Sequence, residues 1–307
     1  MRSMNHKSHE CPRIDRSIPT TAIRVHSCDS WIAAGDRASR KAFTLEEMLV
    51  VIGIIALLVA SLFPVVTSAR RQAQSLTCAS NLRQIVTASL IYATENRGFW
   101  PPAHYQFYAN PNRNLHRWHG TRATTAGAFV FEGVAPFVDG SPLLPFLRMG
   151  KIKACPTFEP PGSGFESAAG GYGYNNGYVG GGVADAPAAA TPAEKNRLGN
   201  LPAKQTMIRR PSETITHADT AMAILSGAAM KMIEYSFVEP PTTVFGPTSP
   251  SLHFRHAKRC NIGWADGHVT SERFEWTHPG GNIYGVDNER AQLGFFGPAD
   301  NALFDRK

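Results

Sequence analysis

The feature that most constrains this chain is a run of nineteen uncharged, mostly apolar residues at positions 48–66. As a helix rising 1.5 Å per residue the run extends about 28 Å, close to the hydrocarbon thickness of a bilayer. A buried core helix is the alternative, but the unbroken Leu, Ile and Val content favours a membrane span. Arg37, Arg40 and Lys41 precede the run, so the positive-inside rule keeps the N-terminal side cytoplasmic and exports the rest.

The entrance to this segment differs from that of an ordinary signal peptide. The apolar run is too long, and no small-residue cleavage site clearly follows it. Glu46 and Glu47 stand at the entrance, where a carboxylate is costly unless it is paired or functional. The simpler alternative is that both carboxylates lie in the headgroup layer.

The string RKAFTLEEMLVVIGIIALL at positions 40–58 closely resembles the N-terminal signal of type IV prepilins and type II secretion pseudopilins. The resemblance implies that a prepilin peptidase cuts between Ala42 and Phe43 and N-methylates Phe43. It also implies that Glu47 pairs with the terminal amine of a neighbouring subunit during assembly. Pro64 matches a helix-kinking proline of many pilins, and a proline inside a helix does remove a backbone hydrogen bond.

Two features depart from that family pattern. The residue before the expected cut is Ala42, where the family usually has Gly. The leader, residues 1–42, is long and contains Cys11 and Cys28, so the true start codon can also lie downstream. An uncleaved signal anchor is the alternative interpretation of the whole signal.

Beyond Pro64 the apolar residues recur at spacings of three and four, which predicts that one helix runs from about residue 44 to 96. Asn96, Arg97 and Gly98 end it. We therefore predict an α+β protein with the pilin-like lollipop architecture. Its parts are a cleaved leader (1–42), a transmembrane half-helix (43–66), an amphipathic half-helix (67–97) and an exported domain (98–307). In that domain the helix packs on an antiparallel sheet with long loops.

Several local patterns subdivide the exported domain. Residues 162–193 form a Gly-rich segment without a Gly-Lys-Ser/Thr string, so a flexible surface loop is expected and a phosphate-binding loop is not. Residues 141–149 are expected to form a short helix and residues 231–238 a strand. Residues 260–264 and 268–271 flank Asp266 and Gly267, which predicts a β-hairpin.

A second resemblance rests on the spacing of nine residues between His256 and the pair Asp266-Gly267. It resembles the H-x9-D-G element near the C-terminus of many bacterial pseudopilin-like proteins. The same group has three further strings, and they are matched here by Cys78, Asn81, Leu82, Arg83 and Gln84; by Cys155 and Pro156; and by Pro211, Ser212, Glu213, Thr214, Ala218 and Asp219. The matches cover the chain from residue 42 to about 270, and they imply no biochemical role for the domain.

Two interpretations of the H-x9-D-G element remain open. Asp266 and Gly267 can simply make a tight turn, with His256 hydrogen-bonded across the hairpin. Alternatively the region binds a metal. His253, His256, Asp266 and His268 suit zinc by ligand type, and Asp219 and Asp266 with backbone carbonyls suit calcium.

The five cysteines contain no C-x-x-C pair, which argues against a zinc ribbon or a thioredoxin-like motif. In an exported domain a disulfide between Cys78 and Cys155 is reasonable. By closing a long loop, this disulfide would stabilise the folded state by about 4 kcal/mol in the chain-entropy model. With that disulfide Cys260 would be left unpaired; two separate buried thiols at 78 and 155 are the alternative.

These observations predict a structural subunit of a type II secretion or type IV pilus-like fibre, held in the bacterial inner membrane by a single span with a cytoplasmic N-terminus. Its expected partners are prepilin peptidase, other pilin or pseudopilin subunits and membrane lipid. The rival is a membrane-anchored exported enzyme or ligand-binding protein that uses His and Asp residues around 217–268. We do not expect an enzyme, since neither a G-x-S-x-G nor an H-E-x-x-H string occurs.

The charge does not indicate a nucleic-acid partner. The net charge of +7 contains +4 from the leader, which holds eight Lys or Arg and four Asp or Glu. More than half of the apparent basicity therefore belongs to a segment whose positive charge sets membrane orientation. The remaining charge is not clustered on a helix that could read a nucleic-acid groove.

Overall fold

The computed structural model describes residues 43–105, 115–124, 140–147, 154–158, 166, 168–243 and 246–307. The leader, with Ala42, Cys11 and Cys28, lies outside the described residues, as do positions 162–165 and 167 of the Gly-rich segment. The chain divides between Ala56 and Leu57 into two units. The two units are described separately.

The first unit, described from residue 43, contains the start of helix α1 (Leu45–Glu95). Thr44 and Glu47 form a reciprocal capping box. The Thr44 backbone N–H donates to Glu47 Oε2 at 2.9 Å, and the Glu47 N–H donates to Thr44 Oγ1 at 3.2 Å. All described residues of this unit are exposed. Within the described ranges α1 is the helix that is long and apolar enough to cross a membrane, and none of its most apolar window is buried.

In the second unit α1 continues without a break through Pro64 and ends at Glu95. Arg97 and Gly98 take positive φ values of 57° and 83°, and the Gly98 N–H donates to the Ala93 carbonyl at 2.8 Å. This is a helix C-cap of the kind that glycine favours. The predicted bounds of the helix are confirmed to within one residue. Its buried face recurs at helical spacing and consists of Cys78, Asn81, Leu82, Ile85, Val86, Ala88, Ser89 and Ala93.

The rest of the second unit is rich in short antiparallel strands. In chain order they are β1 (His104–Tyr105), β2 (His116–Arg117), β3 (Gly120–Thr121), β4 (Tyr172–Tyr174), β5 (Ile215–Asp219), β6 (Met222–Ser226), β7 (Ala229–Ile233), β8 (Thr242–Thr243), β9 (Gly246–Pro247), β10 (Leu252–His253), β11 (Arg259–Trp264), β12 (Val269–Arg273) and β13 (Leu293–Gly294). A second α-helix, α2 (Pro192–Gly199), and three single-turn 3-10 helices (Leu144–Phe146, Val183–Asp185, Gln205–Met207) connect them.

The central sheet is four-stranded and antiparallel, in the order β12-β11-β5-β4. The other described sheets are small: β1-β2-β3, β6-β7, β8-β9 and β10-β13. Side chains alternate across a strand, and β4, β5 and nearly all of β11 are buried on both faces, whereas the edge strand β12 is half-exposed. One face lies in the core that contains α1, and the other packs on a second core around Ile215, Ile262, Phe254 and Phe295. The predicted class, α+β with a long N-terminal helix and an antiparallel sheet, is confirmed.

Helix α1 approaches the middle of this sheet at Gly263 of β11. A Cβ at this position would lie only 2.4 Å from Val86 Cγ2, so glycine is what permits the close contact between helix and strand. Gly263 is opposite His217 of β5. The His217 ring stacks on Tyr174 of β4 with centroids 4.4 Å apart.

The hairpin prediction is confirmed, since β11 and β12 are joined by a turn in which Gly267 has a φ of 100°. The expectation of a flexible surface loop is wrong for residues 169–182 of the Gly-rich segment, which are almost all buried, whereas residues 187–189 and 191–193 are exposed. Tyr172–Tyr174 is a buried edge strand of the central sheet. Glycine serves close packing here, because a Cβ on Gly173 would lie 2.5 Å from Thr220 Cγ2.

Two shorter predictions hold only in part. The strand expected at 231–238 is β7, which ends at Ile233. Residues after it cross to the edge of the central sheet instead, where the Tyr174 N–H donates to the Ser236 carbonyl at 3.0 Å. The helix expected at 141–149 is a single 3-10 turn, Leu144–Phe146, with Pro145 as its second residue. Positions 148 and 149 lie outside the described residues.

Candidate functional site

Four side chains that are far apart in the sequence meet at one buried point of the second unit. Cys78 comes from α1, Cys155 from a turn, Asp219 from the end of β5 and His256 from the turn before β11. Their sulfur, oxygen and nitrogen atoms all lie within 4.8 Å of one another. We call these four residues the cluster. Each of them belongs to one of the four strings that resemble the pseudopilin-like group.

The two cysteines of the cluster form a disulfide with a Cα–Cα distance of 5.1 Å. The bond joins α1 to the turn at Cys155, and 77 positions separate the two residues. Both are buried. Cys260, on β11, is a free buried cysteine whose Sγ donates to the Asp219 carbonyl at 3.3 Å.

The carboxylate of Asp219 is completely buried and fully hydrogen-bonded. Arg255 Nη2 donates to Oδ1 at 2.8 Å. The backbone N–H and the Nδ2 of Asn261 both donate to Oδ2 at 2.9 Å. His256 Nε2 lies 3.2 Å from the same oxygen. A buried carboxylate needs this number of donors to offset the loss of water.

Charges around the cluster are balanced. Burial by itself would raise the pKa of Asp219, but Arg255, His256 and the Asn261 N–H together hold that pKa below its ordinary value. Burial and the positive charge of Arg255 lower the pKa of His253 to about 3, so this histidine is neutral near pH 7. Burial and the charge of Asp219 raise the pKa of Cys260, which keeps it a thiol.

A cleft of about 1040 Å³ opens beside the cluster. One wall is the segment of α1 from Pro64 to Ser75, and the other is formed by Thr157, His256 and Lys258 with neighbouring residues. Among the described residues the lining contains Arg71, Arg255, Lys258 and Arg259 and no carboxylate. The cleft therefore gives solvent a route to His256 and Arg255.

The structure separates the residues that the sequence suggested as metal ligands. Asp219 and His256 are together, and His253 lies beside them, with its Nδ1 3.3 Å from Arg255 Nη1. Asp266 and His268 form their own half-exposed pair at the hairpin turn, with 2.5 Å between Oδ1 and Nδ1. The Asp266 N–H donates to the Pro211 carbonyl at 3.1 Å, so Asp266 lies beyond the start of β5, whereas Asp219 is the last residue of that strand. Neither the predicted zinc set nor the predicted calcium set is assembled.

Two residues of the site were missed at the level of sequence. Arg255 neutralises Asp219, and Asn261 orients it. A signal for both existed, because a buried aspartate requires a counter-charge and hydrogen-bond donors. Arg255 is adjacent to His256, and Asn261 lies inside the H-x9-D-G spacing.

A second buried polar group lies near the β4 edge of the central sheet, where Ser236 bonds to Tyr174. Arg117 Nη2 donates to Glu166 Oε1 at 2.5 Å, the Ser236 hydroxyl donates to Glu166, and His119 Nε2 lies 2.7 Å from Ser236 Oγ. Serine, histidine and a carboxylate are thus in contact. The Ser236 hydroxyl donates its hydrogen bond to the carboxylate, and Ser236 is fully buried. This group therefore does not present a nucleophile to solvent.

At the other end of the described chain, Phe43 is exposed and Glu47 is held by the capping box with Thr44. Both hydrogen bonds from Thr44 go to Oε2 of Glu47. Among the described residues, the second carboxylate oxygen, Oε1, accepts no hydrogen bond and can accept one from a further donor.

Comparison with protein-family models, with characterised proteins and with solved structures finds no match to this chain.

Proposed function

We propose that this chain is a structural subunit of a type II secretion or type IV pilus-like fibre. In this proposal a prepilin peptidase cleaves it between Ala42 and Phe43 and methylates Phe43. The apolar part of α1 then holds it in the bacterial inner membrane and later packs with the helices of other subunits.

The observation that carries the proposal is the contrast along α1. Sixteen large apolar side chains between residues 43 and 66 are exposed, whereas the face that begins at Cys78 is buried in the same chain. Burying one such side chain is worth about 1.5–3 kcal/mol. An exposed apolar surface of this size requires lipid or other subunits to cover it.

The geometry at Glu47 is compatible with assembly. The capping box holds the carboxylate at the start of the helix through Oε2, and Oε1 is free to accept a hydrogen bond from the amine of a neighbouring Phe43. An unpaired carboxylate or ammonium in an apolar environment costs several kcal/mol, and pairing the two reduces that cost.

The convergence of the four strings also supports the proposal. They resemble strings of pseudopilin-like proteins, and their Cys78, Cys155, Asp219 and His256 build one buried cluster that joins α1 to the sheet. A fibre subunit needs this junction to be rigid, because forces along the fibre pass from the helix to the exported domain.

An exported ligand-binding protein is the second candidate, and the cleft beside His256 is the observation that favours it. Its lining is basic, so a ligand would be anionic. In that case the membrane helix would serve only as an anchor, and assembly would not depend on Glu47.

A comparison of three variants separates these functions. Glu47→Gln removes the charge that would pair with the amine, and we expect it to reduce fibre recovered by shearing or cross-linking at least about tenfold. Glu46→Gln is the matched control, since Glu46 is the neighbouring exposed carboxylate. Thr44→Ala removes only the cap, which costs about 0.5–2 kcal/mol of helix stability. Normal assembly of Glu47→Gln in cells that contain prepilin peptidase would contradict the pairing role.

A further inference from the structure

We propose that the cluster is a zinc site when its disulfide is reduced. In that state the thiolates of Cys78 and Cys155, Nε2 of His256 and Oδ2 of Asp219 would bind one Zn²⁺ tetrahedrally. This inference does not depend on the proposed fibre function.

The spacing of the donor atoms fits a tetrahedral zinc ion. With Zn–N and Zn–O bonds of about 2.0–2.1 Å and Zn–S bonds of about 2.3 Å, tetrahedral geometry separates N from O by about 3.3 Å and N from S by about 3.6 Å. The observed distance from His256 Nε2 to Asp219 Oδ2 is 3.2 Å, and that from His256 Nε2 to Cys155 Sγ is 3.6 Å. With the disulfide formed, the two distances from His256 Nε2 therefore match the edges of a zinc tetrahedron.

The two sulfur atoms must move apart. A disulfide holds them about 2.05 Å apart, whereas two thiolates on one zinc ion lie about 3.8 Å apart. Each sulfur must shift by a little under about 1 Å, which a side-chain rotation supplies.

The charges balance in both states of the site. With the disulfide formed, Asp219 is neutralised by Arg255 across 2.8 Å. Reduction and metal binding add two thiolate charges and one dication, so the total charge of the buried group does not change. An arginine beside a metal is unfavourable in general, but here it offsets the third negative ligand.

Neighbouring side chains already orient the ligands. His256 Nδ1 lies 3.4 Å from Thr157 Oγ1, so in the zinc-bound state the ring would carry its proton on Nδ1 and donate there, while Nε2 would give up its hydrogen bond to Asp219 Oδ2 and bind the metal. Arg255 and Asn261 fix the plane of the Asp219 carboxylate. The cleft lined by Thr157 and His256 provides an entry path for the ion.

The chemistry requires a thiol reductant, for which we name a dithiol. The dithiol transfers two electrons and two protons to the Cys78–Cys155 bond and leaves as its own disulfide. When zinc binds, both cysteine thiols release their protons to water, so metal binding acidifies the solution. Reoxidation would expel the metal, because a disulfide has no thiolate to offer.

Cobalt provides the direct test, because tetrahedral Co²⁺ with thiolate ligands absorbs strongly in the visible and near ultraviolet. The experiment uses the full chain in detergent with Cys11→Ser and Cys28→Ser, so that leader thiols do not bind metal. After reduction by a dithiol and its removal without oxygen, we expect stoichiometric Co²⁺ binding with that spectrum and its displacement by Zn²⁺. The oxidised chain is expected not to bind.

Two variants assign the ligands. His256→Asn should weaken Zn²⁺ binding by more than about 100-fold, since even residues that only orient ligands contribute about 10–100-fold. Cys260→Ser is the matched control, because Cys260 is a buried neighbouring thiol outside the cluster, and it should leave the cobalt spectrum unchanged. The redox comparison of the unsubstituted cluster needs no variant that could misfold. Absence of stoichiometric metal in the reduced chain, or equal loss in Cys260→Ser and His256→Asn, would overturn the proposal.

Discussion

At the scale of single residues, the ion pair between Asp219 and Arg255 holds the cluster together. Both side chains are buried and 2.8 Å apart. Such a buried pair stabilises the folded state little more than two well-packed apolar residues would. Removal of one partner, however, leaves an uncompensated charge inside the protein. The exposed pair between Arg210 and Glu213 gives the opposite case, since water solvates each charge by itself.

We predict that Arg255→Met lowers the free energy of unfolding by about 3–5 kcal/mol, because Asp219 loses its counter-charge. Arg210→Met is the matched control and should cost less than about 1 kcal/mol. Denaturant unfolding of the full chain in detergent, followed by tryptophan fluorescence, measures both. Equal effects of the two substitutions would show that the buried pair does not matter for stability.

Buried histidines make the fold sensitive to acid. Burial lowers the pKa of His217 to about 3, and burial with the charge of Arg255 does the same for His253. The folded state therefore binds fewer protons than the unfolded state below the ordinary histidine value of 6.5. Stability must fall as the pH falls from 6.5 towards 3, by about 1.4 kcal/mol per pH unit for each such histidine.

The corresponding measurement is the free energy of unfolding across this pH range. We expect a steep decline below pH 6.5, and a shallower decline in His217→Gln, which cannot take up the proton. His268→Gln is the control, since His268 is a half-exposed histidine at the hairpin turn. A slope that is unchanged in His217→Gln would contradict the assignment of a neutral buried ring.

At the scale of elements, the contact of α1 with β11 depends on Gly263. The space above this residue is taken by Val86. Cores of this density do not absorb an added methyl group without a shift of the backbone or a strained rotamer.

We predict that Gly263→Ala destabilises the protein by about 1–3 kcal/mol because of the clash with Val86. Val86→Ala removes the clashing methyl groups, so the double variant should be more stable than the sum of the two single effects indicates. Thermal unfolding of the unsubstituted chain, the two single variants and the double variant provides this double-mutant cycle. Strict additivity would mean that Gly263 and Val86 are not in contact.

Some elements could be predicted from sequence because their signals are local. Helix α1 has an apolar period of three to four and a Gly98 cap, and the β11-β12 hairpin has Asp266 and Gly267. The Gly-rich segment was misjudged because glycine permits both mobile loops and very close packing. At Gly173 and Gly180 glycine is needed for close packing against neighbouring side chains, and only the tertiary structure reveals these contacts.

The cluster lies at the limit of what sequence can predict. Cys78, Cys155, Asp219 and His256 were each singled out by resemblance or ligand type, and Cys78 was paired with Cys155. Their meeting at one point depends on the order of β5 and β11 in the sheet, which is a non-local property. For the same reason Asp266 was grouped with Asp219 for calcium and with His256 for zinc, although it lies beyond the opposite end of β5 from Asp219.

At the scale of the whole molecule, one helix carries an exposed apolar segment and then a buried face that is disulfide-linked to the α+β fold. A soluble protein does not leave sixteen large apolar side chains uncovered. Membrane insertion followed by helix packing between subunits explains the exposed segment, the entrance carboxylate and the leader charge together. A simple anchor explains only the first and the third.

The most direct test of this account is the N-terminus of the protein as it occurs in the membrane, determined by mass spectrometry. We predict that the chain begins at Phe43, that its amino group carries one methyl group, and that cells without prepilin peptidase retain residues 1–42. A chain that keeps its leader in cells with an active peptidase would contradict the account and would leave a membrane-anchored exported domain as the better description.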